Sequence, residues 1–184
     1  MITMKQYSTI GCCGIDCGLC PRYHTDGPSA CPGCGSIDFK DKHPSCGFLT
    51  CCVTKHSFET CADCPDYPCA RFDAERAGRD SFVTHRKVFE NLDAILNNGL
   101  DAFMEQLTKR MAILVDLLEH FNDGRSKSYF CQACALLPLG DLEALNDTLP
   151  GIPTGMDIKE KNKLARSLID MLAQQRRIEL KLRK

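Results

Sequence analysis

Apolar residues are spread unevenly along this chain. Between Cys12 and Cys69, the large aliphatics, Met and Phe occupy only eight of 58 positions: Ile15, Leu19, Ile37, Phe39, Phe48, Leu49, Val53 and Phe58. Gly and Pro together take twelve of the same 58. From residue 80 onward the same apolar types fill 36 of 105 positions and recur at helical spacing. Phe82, Phe89, Leu92 and Leu96 predict a first helix, ended by the stop signal Asn98-Gly99. Phe103, Leu107, Met111, Leu114, Leu118 and Phe121 predict a longer one, ended at Asn122-Asp123-Gly124. A third helix starts at Ser126 or Ser128 and stops before Pro138, and a short fourth covers Asp141 to Asn146. Asp157 and Glu160 have capping-box spacing and open a last helix carrying Leu164, Leu168, Met171, Leu172, Ile178 and Leu182. Strand-like alternation is lacking throughout. The pattern predicts a mainly α chain in two parts: residues 1–72, with little regular structure, packed on an antiparallel helical bundle over 73–184. The charged link Arg71–Asp80 reads as the start of the first helix, so the parts can share one core.

A stretch as poor in hydrocarbon as 12–69 cannot offset the entropy of ordering it, which is roughly 1–2 kcal/mol per residue. Composition names the remedy. The chain has 14 Cys, twelve of them within this stretch. The opening MITMKQYSTIGCC has no apolar signal region, and no run reaches the ~18 apolar residues of a membrane span. A cytoplasmic location is therefore expected, without a membrane partner. Thiols stay reduced in such a compartment and read as metal ligands before disulfides.

Three pairs have the two-residue gap of a zinc knuckle: Cys17/Cys20, Cys31/Cys34 and Cys61/Cys64. That gap lets a tight turn bring both sulfurs to one ion at about 2.3 Å. The surrounding CGLCP, CPGCG and CADCP supply Gly and Pro for the turns. Cys12, Cys13, Cys46, Cys51, Cys52 and Cys69 offer further sulfur, and His24, His43 and His56 offer nitrogen. Tetrahedral zinc, at two or three sites, is the expected cofactor; a [4Fe-4S] cluster is the alternative. The spacing Cys13-x3-Cys17-x2-Cys20 matches a radical-SAM cluster loop, but only helices follow where that chemistry needs a large barrel. Adjacent side chains diverge, so one member of Cys12/Cys13 and one of Cys51/Cys52 is either spare or belongs to another site. Cys131 and Cys134 lie at i, i+3 among Phe, Ala and Leu, and read as buried helical thiols, with a ligand pair as the alternative.

Charge changes the picture little. The net charge is −1, so there is no bulk attraction to nucleic acid. The segment Lys159–Lys184 carries nine Lys/Arg against three Glu/Asp. A solvated basic face is the ordinary use of such a helix, and an RNA or an acidic partner the other. Asn122–Ser128 (NDGRSKS) reads as one helix end followed by the next start, or else as an anion site.

The opening CGIDCGLCPRY, followed by CPGCG, Cys46-x4-Cys51 and ETCADCPDYPCARF, resembles the cysteine-rich domain-of-unknown-function family DUF 3795. NLDAILNNGLDAF and FNDGRSKSYFCQACALLPLGDLEAL resemble its longer members. The resemblance implies a zinc-binding module without an established activity. It places the family's recurring cysteines on Cys13, Cys17, Cys20, Cys31, Cys34, Cys46, Cys51, Cys61, Cys64 and Cys69, and makes Cys12, Cys52 and Cys134 additions. The function expected is binding or scaffolding with a protein partner, not catalysis. An iron–sulfur or thiol redox role, and nucleic-acid binding through zinc knuckles and the basic last helix, stand as alternatives.

Overall fold

The computed structural model describes residues 5–73, 78–153 and 155–183. Among them the regular structure is helical and no strand occurs, so the chain is mainly α. Part of the link Arg71–Asp80 lies outside the described residues. The backbone divides into two compact units, 1–105 with 182–184, and 106–181.

The first unit holds the short helices α1 (Phe39–Lys42) and α2 (Gly47–Leu49), the latter running into a wide π-type turn at Thr50–Lys55. Single 3-10 turns occupy Cys17–Leu19, Cys61–Asp63 and Ala70–Phe72. Helix α3 (Val88–Asn98) follows, and α4 (Leu100–His120) begins in this unit after Gly99, whose φ of +86° breaks the path between them. The sparse hydrocarbon of the cysteine-rich stretch is completed by α3. Ile10, Leu19 and Phe72 are fully buried together with Val88 and Leu92. Gly14, at φ +90°, sits so close to α3 that a Cβ there would lie 2.6 Å from the Val88 carbonyl oxygen and 2.8 Å from Leu92 Cγ. Only glycine fits both the conformation and the space. The buried Asn91 amide of α3 donates to the Gly14 carbonyl at 2.9 Å and to Asp16 Oδ1 at 3.0 Å, which satisfies polar groups that burial would otherwise strand. A ring cluster closes the other side: Phe72 lies 4.8 Å from Phe48, 5.2 Å from Tyr67 and 5.6 Å from Phe89.

The first helix is shorter than its predicted stripe. Phe82 precedes it and Leu96 faces out, at 64% and 56% exposure. The buried line is Val88, Asn91, Leu92 and Ile95. The cause lies at Asp80, whose carboxylate accepts from the His85 amide at 2.7 Å and the Thr84 hydroxyl at 3.2 Å. That turn delays the helix until Val88 and rotates its face. Asp80 also pairs with the returning C-terminal segment: its amide donates to the Arg183 carbonyl, and its carboxylate accepts from the Arg183 amide, both at 2.8 Å.

The second unit contains the rest of α4, then α5 (Lys127–Leu136), α6 (Leu139–Thr148) and α7 (Ile158–Arg176). Its core is conventional hydrocarbon: Leu107, Leu114, Leu117, Phe130, Leu137, Leu142 and Ile169 are fully buried. Helix α5 is buried along Phe130–Leu136 without a break. Its last carbonyls are capped by Arg110 of α4, whose guanidinium donates to Cys134 O at 2.6 Å and Leu137 O at 2.7 Å. Asp157 caps α7 by accepting from the Lys159 amide at 3.0 Å. Ile178 and Leu182 lie beyond the end of α7, which stops where Arg177 turns left-handed.

Candidate metal centre

None of the 14 cysteines is in a disulfide. Two of the predicted pairs share one local build. Cys17 and Cys61 each open a 3-10 turn, and the amides of Cys20 and Cys64 return to their carbonyls at 3.1 Å. The amides of Tyr23 and Tyr67 then bond back to Cys20 O and Cys64 O at 2.9 and 3.1 Å. The matched text is CGLCPRY and CADCPDY. Thr60 and Asp63 add a capping box to the second turn. These are knuckle-like turns without the strands of a zinc ribbon.

Backbone pairing draws distant segments onto these turns. The Cys61 amide donates to Cys12 O at 2.7 Å, and the Cys34 amide to Ser8 O at 2.8 Å. Gly33 (φ +89°) permits the second contact, since a Cβ there would lie 2.4 Å from Ser8 O. The Cys12 amide points at Cys34 Sγ, 3.5 Å away. The segments of Cys12, Cys34 and Cys61 meet as a result. The thiols of Cys34, Cys52 and Cys61 are the neighbours that act on Cys12, and Cys52 Sγ lies 3.6 Å from the Phe58 carbonyl oxygen. Cys12 is completely buried, and Cys34, Cys52 and Cys61 nearly so.

Protons are shared unequally in this cluster. Its thiol neighbours, reinforced by burial, raise Cys12 above the usual thiol range. Cys34 is shifted below the usual thiol range by the Cys12 hydrogen bond, and the Lys5 ammonium helps. Cys52 is lowered to about 4 by hydrogen bonds from Cys12 and Cys61, again with help from Lys5. Cys61 is lowered by Cys12, but its bond to Cys52 and its burial together raise it overall.

The remaining sequence-predicted residues lie on either side. Burial raises Cys17 and Cys20, and Cys34, Cys13, Cys20 and Cys31 are the neighbouring thiols that add to the rise at Cys17. Cys51, Cys52, Cys61, Cys64 and Cys69 line a partly enclosed cavity of about 30 Å³, with His56, Phe58 and Phe72 among its walls. A single water-sized occupant needs about 10–15 Å³ by the same measure, so the space is small but real. Cys46 is half-buried outside that lining, its carbonyl accepting from Thr50. Of the candidate histidines, His24 is bonded to Gly18 O at 2.7 Å, and His43 stacks on Phe39 and contacts Pro44 O. His56 alone of the three lines the cavity.

Among the described residues, no three His, Cys, Asp or Glu side chains stand spaced as ligands around one ion. In donor chemistry the thiols fit a soft divalent ion, which takes thiolates and is held in closed four-ligand sites when structural.

Two cysteines lie elsewhere. Cys131 and Cys134 are buried in α5, and burial pushes the Cys134 thiol up to about 12. At Asn122–Ser128 the turn's amides are taken up locally. Asn122 Oδ1 accepts from Gly124 and Ser126, and Asp123 Oδ1 from Arg125, at 3.0–3.2 Å. The capping reading accounts for that sequence. On the basic last helix, Arg176 is paired with Asp141 at 2.7 Å and Arg166 stacks 4.3 Å above the Tyr129 ring. Sequence reasoning misses Lys5, whose burial beside the cluster has no local signature.

Fold and site together define a mainly α, cysteine-rich protein with clustered free thiols in its first unit. The model of a family described as "Protein of unknown function (DUF3795)" matches residues 9–74, a segment that contains twelve of the 14 cysteines. No curated protein and no solved structure matches the chain. No described helix is long and apolar enough to cross a membrane.

Proposed function

We propose that this is a zinc-binding protein whose first unit is held by thiolate–metal bonds at two or three sites, and which acts as a binding or scaffolding element for a protein partner. One observation carries this reading: cysteines from separate chain segments are drawn together by backbone pairing in a unit short of hydrocarbon. Cys13, Cys17, Cys20, Cys31, Cys34, Cys46, Cys51, Cys61, Cys64 and Cys69 are the ligand pool. Apparent energies of roughly 10–16 kcal/mol per structural zinc are large enough to supplement the few apolar side chains of this stretch. Zinc has no redox chemistry and closed thiolate sites leave it no open position, so its contribution here is shape.

Elemental analysis of the full chain, purified without oxygen, tests this. Two or three zinc per chain in a colourless protein is the expected result. Stoichiometric iron in a brown protein would replace zinc with a cluster, and a metal-free folded chain would remove the proposal.

A further inference from the structure

We infer that the second unit carries a binding site of its own: a cleft at the end of α4 that takes a free amino acid with a large apolar side chain. The inference does not rest on the metal-binding reading. The cleft is half-open, holds about 420 Å³, and is formed wholly by residues of 106–181. That volume falls in the range of small-ligand sites, which join a mostly apolar surface to a few placed polar groups. Three elements wall it: the end of α4, the end of α6 with the 3-10 turn Leu149–Gly151, and the first turn of α7.

Its floor is fixed. Phe121 and Leu149 are buried, at 7% and 2% exposure, and Ile152 of the same lining is half-buried. The Phe121 carbonyl accepts from the buried Asn162 amide at 2.7 Å, and Asn162 accepts in turn from the Ser126 hydroxyl at 3.2 Å. The Ile152 amide returns to Leu149 O at 3.0 Å. These bonds set the apolar residues in place before any ligand arrives, so little ordering is left for binding to do.

The rest of the lining carries opposite charges that do not pair with each other. Asp116 and His120 stand at i, i+4 on one face of α4, and Lys161 lines the cleft from α7. Among the described residues, none of these three side chains has a hydrogen bond or an ion pair, and the Asn146 amide has none either. Elsewhere in this unit surface charges do find partners, Lys109 with Glu143 and Arg176 with Asp141. A simple anion in the cleft would meet Asp116, and a simple cation would meet Lys161. A zwitterion satisfies both. Its ammonium goes to Asp116, its carboxylate to Lys161 with His120 and Asn146 as further hydrogen-bond partners, and its side chain to Phe121, Leu149 and Ile152.

Titration of the full chain with L-phenylalanine, followed by amide chemical shifts, tests this. Saturable shifts centred on His120, Phe121, Ile152 and Lys161 are the expected result. N-acetyl-L-phenylalanine lacks the ammonium and L-phenylalaninamide lacks the carboxylate, so each should bind roughly 10–100-fold more weakly. Glycine, without the apolar group, should show no saturation. D116N should weaken L-phenylalanine by a similar factor and leave the N-acetyl derivative unchanged. K161M should weaken L-phenylalanine and leave the amide unchanged, which ties each charge to its own partner. Should either variant not fold, the analogue series on the unsubstituted chain decides the matter alone. L-Phenylalanine that gives no saturable shift, or shifts centred elsewhere, overturns the site. Equal binding of L-phenylalanine and its N-acetyl derivative, or of L-phenylalanine and its amide, overturns the zwitterion assignment.

Discussion

The two units solve the same problem with different materials. Residues 106–181 bury Leu, Ile and Phe from four helices, and α5 runs through them with nothing polar to place except Gln132 and its chain ends. Residues 12–69 bury thiols, glycines and short turns, and take part of their apolar wall from α3. A hydrocarbon core is redundant, because many contacts each contribute a little. A sulfur core is concentrated, because its order depends on a few atoms whose state an ion or a proton changes. The first unit should therefore respond to metal and pH, and the second to volume.

Substitutions can break or sharpen that contrast. The largest effect is expected from Phe130→Ala, which empties a fully buried site in α5 and should cost ~3–5 kcal/mol in urea unfolding of the second unit. Zinc content should not change. Gly33→Ala comes next. It forces an L side chain to φ +89° against the Ser8 carbonyl, so a loss of about 3 kcal/mol is expected, read in the first unit by faster exchange of the Cys34 amide. Asn162→Ala should cost about 1–3 kcal/mol in the second unit. It strips a buried amide that donates to Phe121 O at 2.7 Å and accepts from the Ser126 hydroxyl at 3.2 Å. Asp141→Asn is the smallest, because Arg176 is half exposed and water screens the pair. Its sign with pH is fixed. The Arg176 hydrogen bond holds the Asp141 carboxyl below its ordinary value of 3.8, so the contribution is present above that value and disappears as pH falls through the folded pKa. Urea titrations of the unsubstituted chain and of Asp141→Asn should separate slightly at neutral pH and coincide once the carboxyl is protonated.

Much of the helical half is legible in the sequence. The stops at Gly99 and Gly124, the start beside Ser126 and the Asp157 cap all rest on local chemistry, which a sequence displays. Periodicity misplaces the buried face of α3 because Asp80 recruits His85 and Thr84 into a turn, a competing local bond that apolar spacing does not reveal. Helix α6 runs to Thr148, further than its weak stripe promises. Spacing likewise exposes the turns at Cys17–Cys20 and Cys61–Cys64. It cannot expose the meeting of Cys12 with Cys34 and Cys61, because that depends on backbone pairing between segments far apart in the chain. Nor can it show that Lys5 folds inward, for a lysine near a chain end ordinarily stays in water.

The direct test is amide hydrogen exchange on the full chain before and after its bound metal is stripped by a chelator under reducing conditions. The account predicts that protection at the Cys34 and Cys61 amides collapses while that of α5 persists. Unchanged protection throughout 12–69 in the stripped protein, with every thiol free, would contradict it.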